Sequence, residues 1–211
     1  MWAGKSTDLE DMNSNFWVCP LGVYVTGLVH ALFAGNGGVI NTAAYEKLPL
    51  TFEWHGTETA GLPFAAHVSG HSVAFAASGE VIEHPVSDGS HRPKAMLRFA
   101  GARRGVQPHA GGPQAGVANY LTGSHPNRWR IGVPLFKAIK YSNLYPGIDL
   151  IYYGNQDRLE YDLIVAPEAS WRLIRVAFDC AKKIEMDREG NLRLQTGTGW
   201  IIDGRPTVYQ S

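Results

Sequence analysis

Cysteine is scarce in this chain. Cys19 and Cys180 are the two it holds. Neither has a CxxC partner, which excludes a zinc ribbon. Cys180 closes LIRVAFDC, residues 173–180, where Ile174, Val176, Phe178 and Cys180 alternate with Arg175, Ala177 and Asp179. The alternation predicts a small buried hydrophobe there, not a reactive thiol. An excess of either charge is also missing, since Lys+Arg and Asp+Glu are 19 each. Nucleic-acid recognition needs a clustered positive footprint, so that partner is excluded. The local run RFAGARR, residues 98–104, reads as a solvated loop. Catalytic signatures are missing as well. There is no HExxH, and Gly70-His71-Ser72-Val73-Ala74 lacks the second glycine of a nucleophile elbow. GNGG at 35–38 is not followed by GK[ST], so it reads as a flexible joint and not a phosphate cradle. The histidines outside the first 34 residues are scattered singly. His67 and His71 stand four apart, but Val-Ser-Gly between them reads as strand and turn. No window of twelve or more residues carries a helical apolar period.

Charge disappears altogether from FWVCPLGVYVTGLVHALFA, residues 16–34. That length barely spans a bilayer, and Pro20, Gly22, Gly27 and His30 weaken it as a membrane helix. It fits the apolar region of a secretory signal ending in small residues at Ala34-Gly35. The preceding MWAGKSTDLED is net acidic, against a signal's positive start, and translation from Met12 would remove that objection. The expected organisation is a signal-like or membrane-anchor leader at 1–34, a linker at 35–47 and a folded domain at 48–211. A buried N-terminal segment is the alternative reading of the leader. Its removal would leave one cysteine and no intrachain disulfide.

What is present is turn chemistry and alternation. Apolar residues reach 45%, enough for a core, and Gly 24 with Pro 12 suit short strands joined by turns. Strands are expected in LPLTFEWH, PFAAHVSG, HSVAFAAS, EVIEH, KAMLRFAGA, VANYLTG and VPLFKAIKY. RRGVQPHAGGPQAG, residues 103–116, reads as a long loop. PEASWRLI is expected to hold one helical turn and WRLIRVAF a strand. KKIEMDREGNLRLQT reads as a hairpin whose acidic turn is too short for a calcium loop, with Gly190 at positive φ. GWIID and RPTVYQ are expected to form a last hairpin around Gly204. The sum predicts an all-β antiparallel β-sandwich, or barrel-like sandwich, preceded by the apolar leader.

The stretch YPGIDLIYYGNQDRLEYDLIVAP, residues 145–167, is the clearest hairpin. Leu150, Tyr152, Leu159, Tyr161 and Leu163 share one face, which is expected to pack inward. Asp149, Ile151, Tyr153, Arg158, Glu160 and Asp162 share the other. Pairing Tyr153 with Arg158 makes Asp149 and Asp162 direct neighbours, a repulsion that something must offset. Lys137 or Lys140 on the adjacent strand is the expected balance. A cation site of Asp149, Asp162 and Glu160, suited to calcium, is an alternative. Glycoside hydrolysis by these carboxylates is another, although a flat strand pair does not itself make a cleft. Trp129, Tyr153 and Trp171 are the aromatics expected to stack on a glycan if the domain binds one; core or turn packing is the bland reading.

Beyond these patterns, the blocks NYLTG…W…VP, YPGIDLIYYGN and LEYDLIVAP, with IRVAFDC, NLRLQT and PTVYQ, carry a resemblance. Over about Leu48 to Gln210 the chain resembles a bacterial domain of unknown function that commonly precedes SBBP-type β-propeller repeats in large secreted or surface proteins. LPLTFEWHGTET looks like that domain's opening. The resemblance implies a β-rich fold and an extracellular or cell-envelope location, with β-propeller repeats or other domains of a larger surface protein as partners. It implies no catalytic residues and no cofactor. The similar domains usually continue past the YQ element, so a C-terminally truncated domain with an open sheet edge is expected here. Three functions follow as expectations: a non-catalytic structural or adhesion module, a carbohydrate-binding module, or a hydrolase using surface carboxylates.

Overall fold

The computed structural model describes residues 50–56, 62–68, 71–83, 95–155, 158–179, 181–196 and 200–210, and the backbone of residues 23–32. Cys19, Cys180, His84, His91 and the 35–47 joint lie outside the described residues. Among the described residues there are fourteen strands and no α-helix. They are β1 (Val23–Leu32), β2 (Phe52–Trp54), β3 (Phe64–Val68), β4 (His71–Phe75), β5 (Val81–Glu83), β6 (Ala95–Phe99), β7 (His109–Tyr120), β8 (Arg130–Tyr145), β9 (Ile148–Asn155), β10 (Arg158–Val165), β11 (Val176–Ala177), β12 (Lys183–Met186), β13 (Leu192–Gln195) and β14 (Trp200–Gln210). The protein is all-β, a strongly curled antiparallel half-barrel with a small second sheet.

The curl originates at β8. β7 pairs with one of its edges, while β2 and β9 take successive stretches of the other, at Leu135–Phe136 and Ala138–Tyr145. From that fork one wing runs β2-β3-β4-β5-β6-β11 and the other β9-β10-β1-β14-β13-β12. Gly154 permits the fork. A Cβ at this position would lie 2.5 Å from Leu50 Cβ, so the chain entering β2 crosses β9 at a distance only glycine allows.

The two wings close on a shared apolar core. Phe52, Phe64, Ala66, Val73 and Phe75 come from one side, and Ile139, Tyr141, Leu150, Tyr152, Leu159, Tyr161 and Leu163 from the other. Aromatic edges meet across the middle, with Phe75 and Tyr152 centroids 5.1 Å apart and Phe99 and Tyr161 5.9 Å apart. Each fully buried ring or branched chain contributes roughly 1.5–3 kcal/mol.

Three tyrosines then add directed bonds. Tyr141 Oη donates to Ala76 O at 2.8 Å, Tyr152 Oη to Gly79 O at 2.7 Å, and Tyr145 Oη to Ala100 O at 2.9 Å. These carbonyls belong to the connections of the opposing wing, where regular ladder partners are missing. Gly79 (φ +79°) must be glycine, because a Cβ there would come within 2.6 Å of Leu150 Cδ2.

Several expectations are corrected. The 103–116 loop is half strand: β7 begins at His109 and runs through Pro113. Proline is tolerated because β7 pairs only with β8. Gly204 makes no hairpin; Trp200–Gln210 is one continuous strand, whose register with β1 shifts between Gly204 and Thr207. The strand expected in WRLIRVAF shrinks to Val176–Ala177, after a 3-10 turn at Trp171–Leu173. Ile174, Val176 and Phe178 still pack on the core. The 145–167 hairpin has a two-residue loop, so Tyr153 faces Glu160 and Asn155 faces Arg158.

Replacing Tyr152 by Phe leaves the Gly79 carbonyl buried without a donor. Urea denaturation should show a loss of about 1–3 kcal/mol. Unchanged stability would contradict the role given to this bond.

Candidate functional site

The carboxylates of the hairpin face solvent as expected, but the register separates them. Asp149 pairs with Ile164 and Asp162 with Ile151. The two acids are therefore not direct neighbours, which corrects the expected pairing. An even shift of register preserves the faces and changes only the partners. Asp149 instead receives Lys140 Nζ at 2.7 Å, as its expected balance, and the Asn143 N–H at 2.7 Å. Asn143 (φ +52°) sits where the β8–β9 register shifts between Tyr141 and Tyr145, so Asp149 braces a bulge. Partial burial pushes its carboxyl up, but Lys140 and the Asn143 N–H outweigh this and hold it below its usual range.

Asp162 accepts from Tyr153 Oη at 3.1 Å and Tyr209 Oη at 3.4 Å. Glu160 accepts from Asn155 Nδ2 at 2.8 Å. Among the described residues, no three His, Cys, Asp or Glu side chains form a group suited to a metal ion. The candidate aromatics are likewise dispersed. Trp129 precedes β8 and donates through Nε1 to Gly123 O at 3.1 Å, closing the β7–β8 loop. Tyr153 lies near the loop end of its hairpin. Trp171 follows the opposite end, packs on the core and stacks under Arg172 at 4.4 Å.

The densest polar chemistry is elsewhere, on the outer face of β2, β3 and β4. Phe52 and Trp54 alternate with Glu53, which turns to that face yet is only 5% exposed. Tyr120, at the end of β7, donates to Glu53 Oε2 at 2.5 Å. His55 Nε2 lies 3.2 Å from the same oxygen, and His67 Nε2 lies 3.7 Å from Oε1. Arg130 Nη1 is 3.3 Å from His55 Nδ1. A guanidinium only donates. His55 therefore accepts at Nδ1 and carries its proton on Nε2, from which it donates to Glu53.

The same logic orders the other branch. The Tyr120 proton goes to Glu53, so the Tyr120 oxygen accepts from His67 Nε2 at 3.3 Å. His67 Nδ1 then accepts from Ser72 Oγ at 3.0 Å. Burial pushes the Glu53 carboxyl up, but the bonds from His55 and Tyr120 and the nearby histidines prevail and hold it below its usual range. Burial and the Glu53 contact push the Tyr120 phenol well up. The Ser72–His67–Tyr120–Glu53 series thus ties β4, β3, β7 and β2 together across β8.

Sequence reasoning missed Glu53, His55, Tyr120 and Arg130. Tyr120 and Arg130 come from segments far from Glu53 in the chain, whereas Glu53 and His55 stand two apart, a spacing that puts both on one face of an extended chain. Asp203 was missed too, although its signal is local: period two places it with Ile201 on the inward face. It is 6% exposed, and its Oδ1 has no hydrogen-bond partner. Desolvation raises its carboxyl to about 7. Once ionised, its charge in turn raises the phenols of Tyr152 and Tyr161 in the core.

A raised carboxyl stabilises the fold fully below its unfolded value, about 4, and loses that contribution as pH climbs to about 7. The change is on the order of 4 kcal/mol. Asp203→Asn should flatten the fall in melting temperature across that window. An identical slope in the variant would exclude Asp203 as its source.

Compared with known proteins, residues 52–211 match the model of one family, described as Domain of unknown function (DUF7948). No curated protein and no solved structure matches the chain.

Proposed function

The chain belongs to the family described as Domain of unknown function (DUF7948), and from that premise we propose that it is a non-catalytic structural module of a secreted or cell-surface bacterial protein. The observation that carries this reading is the hydrogen-bonded series around Glu53, which links four strands. Tyr120 and His55 both donate to Glu53 Oε2, and Arg130 fixes the His55 tautomer that makes the second of these bonds. Such a network resists strand separation. Asp149 acts in the same way at the β8 bulge.

Export is supported by the uncharged run at residues 16–34. The resemblance to domains preceding SBBP-type β-propeller repeats supports a place beside such repeats in a larger protein. The domain then acts as a spacer that holds neighbouring parts at a set distance.

The full chain tests the reading with two probes. A fluorophosphonate reagent should leave Ser72 unlabelled, and a glycan array should give no saturable, competable signal. Labelling at Ser72 would convert the Ser72–His67 contact into an activated nucleophile. Specific glycan binding would replace the structural reading with a lectin-like one.

A further inference from the structure

Strand β1 occupies an unusual place. It lies between β10 and β14 and runs antiparallel to both, with Tyr24 facing Ile164 and Tyr209, and Val29 facing Leu159 and Asp203. β10 and β14 are therefore parallel to each other, with one strand's width between them. Taken without β1, each presents a row of backbone N–H and C=O groups to that gap. Closing the gap directly would need a parallel pairing in a sheet whose pairs are all antiparallel.

The occupant is also distinct from what it fills. The family match begins at residue 52, whereas β1 ends at Leu32. Both walls of the gap lie inside the family domain, and the strand that fills it lies outside. β1 falls within the uncharged stretch 16–34, the composition that an interior sheet position requires and that an exposed edge disfavours. The chain from residue 33 to residue 51 joins β1 to β2; fully extended at about 3.3 Å per residue, its 19 residues would span about 60 Å, many strand spacings. In its present filling, Asp203 Oδ1, opposite Val29, still has no donor.

We propose that the slot between β10 and β14 is a strand-acceptor site whose occupant is exchangeable, filled by residues 23–32 of the same chain or, in trans, by the same segment of a second copy. Main-chain hydrogen bonds on both edges supply the affinity. The ligand class is an extended, uncharged segment of about ten residues running antiparallel to both walls. The inference goes beyond the structural reading and holds whether or not the leader is cleaved.

The test uses the full chain and a fluorescent synthetic peptide of residues 20–34 with a dilysine tail for solubility. Saturable binding is expected, competed by unlabelled peptide. A peptide carrying Val25→Pro and Val29→Pro loses two ladder donors and should bind at least about tenfold more weakly. Refolding a mixture of isotope-labelled and unlabelled full chains should yield dimers of mixed mass that persist on dilution. Equal binding of both peptides, or no binding together with a strictly monomeric refolded product, would overturn the proposal. The wild-type chain carries every arm, so no variant has to fold for the result to count.

Discussion

Everything in this fold depends on how the tyrosines of β8 and β9 cross the core. Tyr141, Tyr145 and Tyr152 bury their rings between the wings and end on backbone carbonyls at Ala76, Ala100 and Gly79. An apolar core alone sets a thickness but not a lateral position. A phenol of fixed length that must reach a carbonyl sets both. The carbonyls chosen are those of connections, which strand pairing would leave unmatched in the interior. One set of side chains thereby fills the core, satisfies the opposing backbone and fixes the wings in register.

That constraint explains the placement of the outer polar network. β2 can accept Glu53 on its outer face because Phe52 is held inward against Phe75, which in turn meets Tyr152. With β2 fixed to β8 at Phe136 and Leu135, the end of β7 falls within reach of Glu53. The brace is a consequence of the fork at β8, and Gly154 is the residue that lets the fork exist.

The alternation of the 145–167 hairpin carried its faces in plain view, and Leu150, Tyr152, Leu159, Tyr161 and Leu163 are all buried. Its register was not legible, because a slip of two leaves every face unchanged and only the loop decides it. A turn residue was legible where a positive φ demands glycine, as at Gly190. Gly204 misled for the converse reason, since a glycine in extended backbone looks no different in sequence. Pro113 misled because edge position, not composition, decides whether a strand tolerates proline. Beyond the local Glu53–His55 pair, the Glu53 network was hidden because its other members meet only after β2, β3, β4, β7 and β8 have assembled. Asp203 was readable from its spacing to Ile201, but polar residues are ordinarily assigned outward.

The most direct measurement of the central claim is an alkaline titration of tyrosine absorbance in the intact protein. Burial holds Tyr141, Tyr152 and Tyr161 well above the ordinary phenol value. The account predicts that these three phenols ionise only together with cooperative loss of the fold. A single smooth titration of every tyrosine near pH 10, with near-ultraviolet dichroism still native, would contradict it.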